Sequence, residues 1–523
     1  MQLIRRVKMW ILAKCTGYRT LEQGGIVRAP NPIVRLLIPA IVCLIASAAS
    51  AADFYVSKTG SDFSPGTEAS PWRTIQKAAD TIGPGDTAWV RDGVYRERVT
   101  VNVSGNAVGG FASFRASPGE RPIIDGSRLT PPKADTALFL IKDREYVLVQ
   151  GFEIRRYKAT TGNRTPCGIL VIGECANIEI RDNDVHHIAY NSRRGNAFGI
   201  AVYGTSAVKP ITGLIIDGNE VHHCKLGNSE SLTINGNVSG FEVTNNRVHD
   251  NNNIGIVFIG FEETCPDPDQ DQARDGLCRG NTVWNISSHG NPAYGRAFSA
   301  GGIYVDGGTR ILIERNIAHH CDIGVELASE HQDRATSHIT LRENIVYRNR
   351  IGGLFMGGYD AQQGSAEQCY VHHNTFFEND TRRDGNGELA LYHYVIGNTI
   401  THNVFVAGRQ SLLVSNPTTN GSGNTLDYNL YFAPAGADES SWQWQKAVSS
   451  GLASYRQATG NDAYSLFGDP GFINALEFDF HLMDRSPAID AGDPSFAPAT
   501  GEFDFDGANR EIGAAVDLGA YER

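Results

Sequence analysis

From about residue 147 to residue 432 the chain repeats one pattern, apolar-x-apolar-x-x-Asn-x-apolar. Copies include IEIRDNDV (178–185), IIDGNEV (215–221), FEVTNNRV (241–248), ILIERNIA (311–318), ITLRENIV (339–346), YVHHNTF (370–376), ITHNVF (400–405) and LDYNLY (426–431). Their asparagines are Asn183, Asn219, Asn246, Asn281, Asn316, Asn344, Asn374, Asn403 and Asn429, spaced 26 to 36 residues apart. A fixed motif at a variable spacing marks structural repeats separated by insertions. A second motif, Gly-apolar-x-apolar, interleaves with it: GILV (168–171), GIAV (199–202), GIVF (255–258), GIYV (302–305), GVEL (324–327) and GLFM (353–356). Alternation with period two predicts short strands that send alternate side chains inward and outward. Helical periodicity is absent here, and neither a Trp-Asp nor a kelch signature supports a propeller. The predicted fold is all-β, a right-handed parallel β-helix with one coil per repeat and coils ~4.8 Å apart. Ile, Val and Leu fill its interior, and the asparagines form a ladder that satisfies buried turn amides.

The ends break the pattern. FYVSKTGSD followed by PWRTIQKAADTI predicts a strand, a loop and a short amphipathic helix that covers the open edge of the first coil. SSWQWQKAVSSGLASYRQA, after residue 436, predicts a helix, and the tail from Asp462 predicts a closure packed along the coils. The chain thus divides into 1–51, an address segment; 52–130, the cap and first coils; 131–435, the β-helix; and 436–523, a C-terminal helix and closing tail. Residues 36–48, LLIPAIVCLIASA, follow Arg28 and Arg35 and precede Ala49-Ser50-Ala51. That run is short for a membrane span and has the flanks of a secretory signal, so the mature chain is expected to be secreted or periplasmic and free of membrane. The residues ahead of it exceed an ordinary n-region, which points to a translation start nearer Val27.

Composition narrows the partners. Lys+Arg total 46 against Asp+Glu 58, a net charge of −12. Losing segment 1–51, with seven Lys/Arg and one Glu, takes this to −18. Such a balance disfavours nucleic acid, which needs a basic face. Seven cysteines follow the address segment, with no CxxC pair that would support a zinc ribbon. Cys265 and Cys278 flank a polar insertion and are the first expectation for a disulfide; Cys167 with Cys175 is the second.

The opening FYVSKTGSDFSPGTEASPWRTIQKAAD, with PGDTAWVRDGVYRE and IIDGS after it, resembles the start of exported β-helix carbohydrate-active enzymes. It is similar in particular to family 9 polysaccharide lyases and family 120 glycoside hydrolases. The tail DPGF, DFHL, SPAIDAG is similar to the ending of many such proteins. The resemblance spans nearly the whole mature chain and implies a polysaccharide substrate. Fold alone does not fix the reaction.

The chemistry must lie on the outside of the coils. Aligned on the Gly-apolar-x-apolar strand, one outward row reads Leu170, Ala201, Thr233, Val257, Tyr304, Glu326, Phe355, Ala390. The next reads Ile172, Tyr203, Asn235, Ile259, Asp306, Ala328, Gly357, Tyr392, and a third includes Phe261, Glu330, Tyr359 and Tyr394. Asp306, Glu326 and Glu330 therefore gather on adjacent coils among Tyr304, Phe355, Tyr359 and Tyr392, with Asp360 just beyond. Strand spacing puts the Asp306 and Glu326 Cα atoms roughly 8 Å apart on a diagonal. That reaches both the ~5 Å carboxyl separation of retaining glycosidases and the ~6.5–9.5 Å of inverting ones. The resemblance of GIYVDGG to the nucleophile strand of family 120 hydrolases implies Asp306 as nucleophile or base and Glu326 or Glu330 as acid. Aromatic side chains and His320 are expected to hold the sugar.

Elimination needs other residues. Between 159 and 435 the lysines are Lys209 and Lys225, neither beside an aspartate cluster, and no Asp-Asp pair exists. The chain thus departs from the lysine base and calcium site of family 9 lyases. Ca²⁺ enters only with the lyase reading, in which His320 or Tyr359 would serve as base. His186-His187, His222-His223, His249 and His319-His320 form a further row, expected to be a polar outward stack without metal. DFDGANR (503–509) lacks the spacing of an EF-hand loop and reads as a turn. The expectation is a monomeric, cofactor-free, polysaccharide-active hydrolase, with a pectate-lyase-like enzyme and a non-catalytic glycan-binding β-helix as alternatives.

Overall fold

A computed structural model describes residues 51–523 except 135 and 163, so the expected address segment 1–51 lies outside the described residues apart from Ala51. Three long parallel sheets, of 17, 13 and 13 strands, wrap a single core. One coil shows the unit: Cys167–Ile172 in the first face, Ala176–Arg181 in the second, Asp184–His186 in the third. The next coil repeats it as Phe198–Gly204, Thr212–Asp217 and Glu220–His222, each strand pairing in parallel with its predecessor. This is the predicted parallel β-helix. Among the described residues no helix is long and apolar enough to cross a membrane.

The inward positions stack as columns. In the third face Val185, Val221, Val248, Val283, Ala318, Val346, Phe376, Phe405 and Tyr431 are successive register partners. Each is at most 1% exposed. Where the column turns aromatic the rings stack, Phe376 on Phe405 at 5.0 Å and Phe405 on Tyr431 at 5.5 Å. Each valine and phenylalanine of the column removed from water contributes roughly 1.5–3 kcal/mol.

The turn between the second and third faces carries the asparagine ladder. From Asn183 to Asn403, each backbone N–H and each side-chain Nδ2 donates to Oδ1 of the ladder asparagine one coil further on, at 2.9–3.1 Å. Nδ2 also reaches a carbonyl of the preceding coil, as Asn281 does to Val243 at 2.9 Å. The ladder ends on the Phe152 N–H, which donates to Asn183, and on Ser465 Oγ, which accepts from the Asn429 N–H. The residue before every ladder asparagine is left-handed, with φ between 49° (Glu343) and 68° (Gly218). For a residue with a Cβ that conformation costs roughly 1–2 kcal/mol, which the ladder's hydrogen bonds offset.

The ends differ in part from expectation. The N-terminal helix is Ile75–Ala79, its first turn capped by Thr74 Oγ1 accepting from the Lys77 N–H at 3.1 Å. Strand Asp53–Val56 already pairs with Thr87–Val90, so the coil stack starts there. After 436 the sequence is not one helix. Ser441–Trp444 and Ala447–Ser450 form an antiparallel hairpin, and the helix spans only Leu452–Thr459. Trp442, fully buried against Tyr431, is held in the strand by packing. Gly451, with φ 84°, separates hairpin from helix.

The expected disulfides do not form, and all seven cysteines of the described region are free and buried. Cys278 points into the core, where Asn281 Nδ2 donates to its sulfur. Cys265 instead lies in the insertion, its thiol donating to the Ser206 carbonyl. Cys167 and Cys175 bond to separate carbonyls, those of Ile169 and Ile172.

Asn281→Ala is expected to strand the Asn246 amides and the Val243 carbonyl inside the stack, lowering stability by about 2–3 kcal/mol. Guanidinium unfolding followed by circular dichroism checks this; a loss within error of zero refutes the ladder's role.

Candidate active site

The strand Gly301–Asp306 lies between Ile256–Ile259 and Ile323–Ala328 in the first face. Its outward row follows the predicted register: Leu170, Ala201, Thr233, Val257, Tyr304, Glu326, Phe355 and Ala390 are successive partners. Asp306 pairs with Ala328, so Asp306 and Glu326 occupy the expected diagonal.

Their side chains diverge. Asp306 is 4% exposed, and its Oδ1 accepts the Glu330 N–H at 2.7 Å, tying down the turn after the strand. Glu326 is half-buried and leans the other way: a Cβ on Gly301 would lie 3.5 Å from its Oε2. Gly307 closes the opposite end with φ 79°, where a Cβ would meet the Phe261 ring at 2.8 Å. Only glycine fits that turn.

Two further carboxyl groups join this cluster. Glu262 comes from the insertion after Ile256–Ile259, and single ligand atoms of Glu262, Asp306 and His331 lie within 4.8 Å of one another. His331 Nε2 is 3.5 Å from Glu262 Oε1. Glu230 precedes strand Leu232–Gly236 and accepts from Thr233 Oγ1 at 3.1 Å. Both have the parity of inward residues, so period-two reading hides them; each lies just outside its strand, where that parity no longer applies.

Electrostatics bind these groups into one unit. Burial, then repulsion from Glu330, pushes the Glu326 carboxyl up to about 8. Burial pushes Glu230 up to about 8 as well, although the Thr233 hydroxyl opposes it, with Glu262 and Glu330 adding repulsion. Asp306 is raised well above the usual carboxylate range by burial and by Glu330; Glu330 is raised by burial and by Glu262, with the His331 imidazole opposing. Clustered carboxyl groups cannot all ionise together, so the cleft retains protons at neutral pH.

The aromatic side chains split. Tyr304 is 4% exposed, packed with Val257, Ile259 and Ala328, and Phe355 is 9% exposed beneath Tyr392, with ring centroids 5.5 Å apart. Neither offers the open face expected of it, because neighbouring outward rows are apolar and cover them. Tyr359 is 49% exposed. Tyr392 is half-buried, its hydroxyl donating to Asn386 Oδ1 at 2.5 Å. Asp360 accepts the Gln362 N–H at 2.8 Å and so stabilises its own turn. His320 belongs to a different corner, after strand Ile317–His319 of the third face, beside Tyr347 and Phe478. The histidine row stacks there as predicted, His186 on His222 at 4.9 Å and His222 on His249 at 5.1 Å.

Comparison with known proteins matches this architecture. The uncharacterized protein YwoF of Bacillus subtilis is 38% identical over 434 residues, covering 83% of this chain and 91% of YwoF. The chain belongs to the YwoF family. A family model described as Pel9A-like, right handed beta helix region, matches residues 54–260, and one described as right handed beta helix region matches residues 270–405. The fold is therefore a right-handed parallel β-helix. Pectate lyase PEL9 of Emericella nidulans is 38% identical over 107 residues, 18% of this chain and 26% of PEL9. The crystal structure of pectate lyase Pel9A aligns at TM-score 0.49 and 15% identity, covering 90% of this chain and 96% of that one. The Pel9A-like match ends at residue 260, ahead of Glu262, Asp306, Glu326 and Glu330.

Because the folded state holds the Glu326 proton up to about 8, against an ordinary 4.5, this group's contribution to stability is complete below pH 4.5. It is lost as pH rises through about 8. Glu326→Gln is expected to flatten the fall in melting temperature across that window. An unchanged slope in thermal melts taken between pH 4 and 9 contradicts the assignment.

Proposed function

We propose that this chain is an exported polysaccharide-active enzyme that cleaves glycosidic bonds by hydrolysis. The observation that carries the reading is the carboxyl cluster around Asp306, in which Glu326 is pushed up to about 8 and so keeps its proton at neutral pH. Glycosidases need one carboxyl as acid and another as base or nucleophile, and an acid with a raised pKa keeps the proton that the leaving oxygen takes. Glu326 is assigned as that acid. Asp306 and Glu330 form a linked pair in which one carboxyl ionises before the other, and this pair is assigned as the source of the base or nucleophile. Tyr359, on the rim, offers a face for a sugar ring.

The family relation favours a second reading, β-elimination, since the relatives include a pectate lyase. The cleft argues against it. Elimination on a uronate wants a strong base, which carboxyl groups that keep their protons do not supply, and the chain's net charge of −12 opposes a polyuronate unless a cation intervenes. The trio Glu262, Asp306 and His331 includes an imidazole, whereas Ca²⁺ takes six to eight oxygens, so this donor set does not fit calcium.

A panel of neutral and acidic polysaccharides, assayed for reducing ends and for ultraviolet-absorbing unsaturated products, tests the reading. Reducing ends without absorbance are expected, with activity falling as pH rises through about 8 and Glu326 loses its proton. Glu326→Gln is expected to lower kcat by about 10²–10⁴-fold with the fold intact. Absorbing products would establish elimination, and binding without either product would establish a non-catalytic glycan binder.

A further inference from the structure

A second cluster of chemically able side chains lies far along the chain from the carboxyl cleft, under the C-terminal tail. His372 ends strand Tyr370–His372, and His373 takes the left-handed conformation that precedes each ladder asparagine, with φ 52°. That geometry turns the two rings toward each other, Nδ1 to Nδ1 at 2.8 Å. Glu343 holds the equivalent pre-asparagine position one coil earlier, with φ 49°. The tail supplies the fourth group: Glu502 Oε1 is 3.6 Å from His372 Nδ1 and 3.8 Å from His373 Nδ1. One ligand atom from each of Glu343, His372, His373 and Glu502 lies within 4.8 Å of the others.

The cluster is sealed. Glu343 and His373 are 0% exposed, His372 2% and Glu502 6%. Phe496 packs against His372, His373 and His402, with centroids 5.9, 4.9 and 4.9 Å away. Yet both Glu343 oxygens, Glu502 Oε1 and His373 Nε2 have no hydrogen-bond partner. A buried carboxylate left so is costly unless something pairs with it. Arg342 addresses part of the charge, its Nη1 lying 2.8 Å from Glu502 Oε2 and its Nε 3.2 Å from Glu343 Oε2. It also pairs with Glu314 at 2.7 Å. Glu314 is also held by Arg279 at 2.6 Å and Arg315 at 3.5 Å, whereas Glu343 and Glu502 depend on Arg342 and on the nearby Arg510, which is itself shared with Glu522 at 3.5 Å.

We propose that Glu343, His372, His373 and Glu502 bind one divalent transition-metal ion of the Zn²⁺ class, which fastens the C-terminal tail to the coils. Two imidazoles with two carboxylates suit such an ion, whereas Ca²⁺ and Mg²⁺ prefer all-oxygen sets. Four protein ligands in a closed pocket describe a structural site rather than a catalytic one. A tetrahedron with bonds of 2.0–2.1 Å has edges of about 3.3–3.4 Å, so Glu502 need move in by only a few tenths of an ångström while the two imidazoles part from their 2.8 Å contact. Two other clusters lack this combination. Asp184, His186 and His222 are half-buried, with Asp184 already bonded to His222 at 2.9 Å, and the cleft trio contains the exposed Glu262.

The test uses the full chain, stripped with EDTA, dialysed against Zn²⁺ and then against metal-free buffer, with bound metal counted by mass spectrometry. One Zn²⁺ per chain is expected to remain, to raise Tm by several degrees and to slow proteolysis of the tail. Glu502→Gln and His373→Ala are each expected to abolish retention and the Tm shift, while His222→Ala and His331→Ala keep both. Far-ultraviolet circular dichroism confirms that each variant is folded; should His373→Ala not fold, the near-isosteric Glu502→Gln and the wild-type Tm shift decide. The proposal is overturned if the wild type retains no Zn²⁺. It is equally overturned if retention survives Glu502→Gln, or disappears in His222→Ala or His331→Ala.

Discussion

Stacking identical turns on one another requires each turn to satisfy its polar backbone through its neighbours, because no water reaches it. The asparagine ladder meets that constraint, with each Oδ1 accepting two N–H groups from the adjacent coil and each Nδ2 reaching back to the coil before. It locks the corner between the second and third faces at one residue per coil. Insertions are therefore pushed elsewhere, and the spacing between ladder positions varies while the register does not. The residues that build the cleft and the tail cluster depend on this: Glu262 rides an insertion, and Glu343 and His373 occupy the residue that each ladder position forces into the left-handed region.

The outer surface of a parallel β-helix is made of rows one strand spacing apart, so side chains of like charge brought onto one face are held close. Around Asp306 that spacing combines with burial to favour the protonated state of several carboxyl groups. The cost of bringing them together falls on the charged forms, which is how an acidic site keeps acids rather than carboxylates. The same scaffold meets charge differently under the tail, where guanidinium groups from the coils and from the tail share the burden.

The coil architecture and the register of the outward rows were legible because period-two alternation and a recurring asparagine are local signals. The site was legible only in part. Asp306 and Glu326 have outward parity inside strands, so alternation finds them, but the lean of Glu326 toward Gly301 depends on a rotamer and on the space a glycine leaves. Glu262 and Glu230 sit beyond strand ends, where alternation carries no information. Tyr304 and Phe355 were correctly placed on the outer face yet are covered by apolar neighbours from adjacent rows, a tertiary effect that no single strand reveals. The hairpin at Ser441–Trp444 was hidden because Trp442 is held by long-range packing against Tyr431. Cysteine spacing misled for a similar reason: Cys265 and Cys278 flank one insertion but serve different layers.

Those thiols have a practical corollary. All seven are buried and unbridged, and burial raises the six of them that lie along the coils from Cys167 to Cys369 as well as Cys265 in its insertion. Among the described residues the coils are held together without a covalent cross-link. Because the thiols are distributed along the solenoid, their alkylation by a soluble reagent reports the opening of individual stretches, turning the native sequence into its own set of unfolding labels.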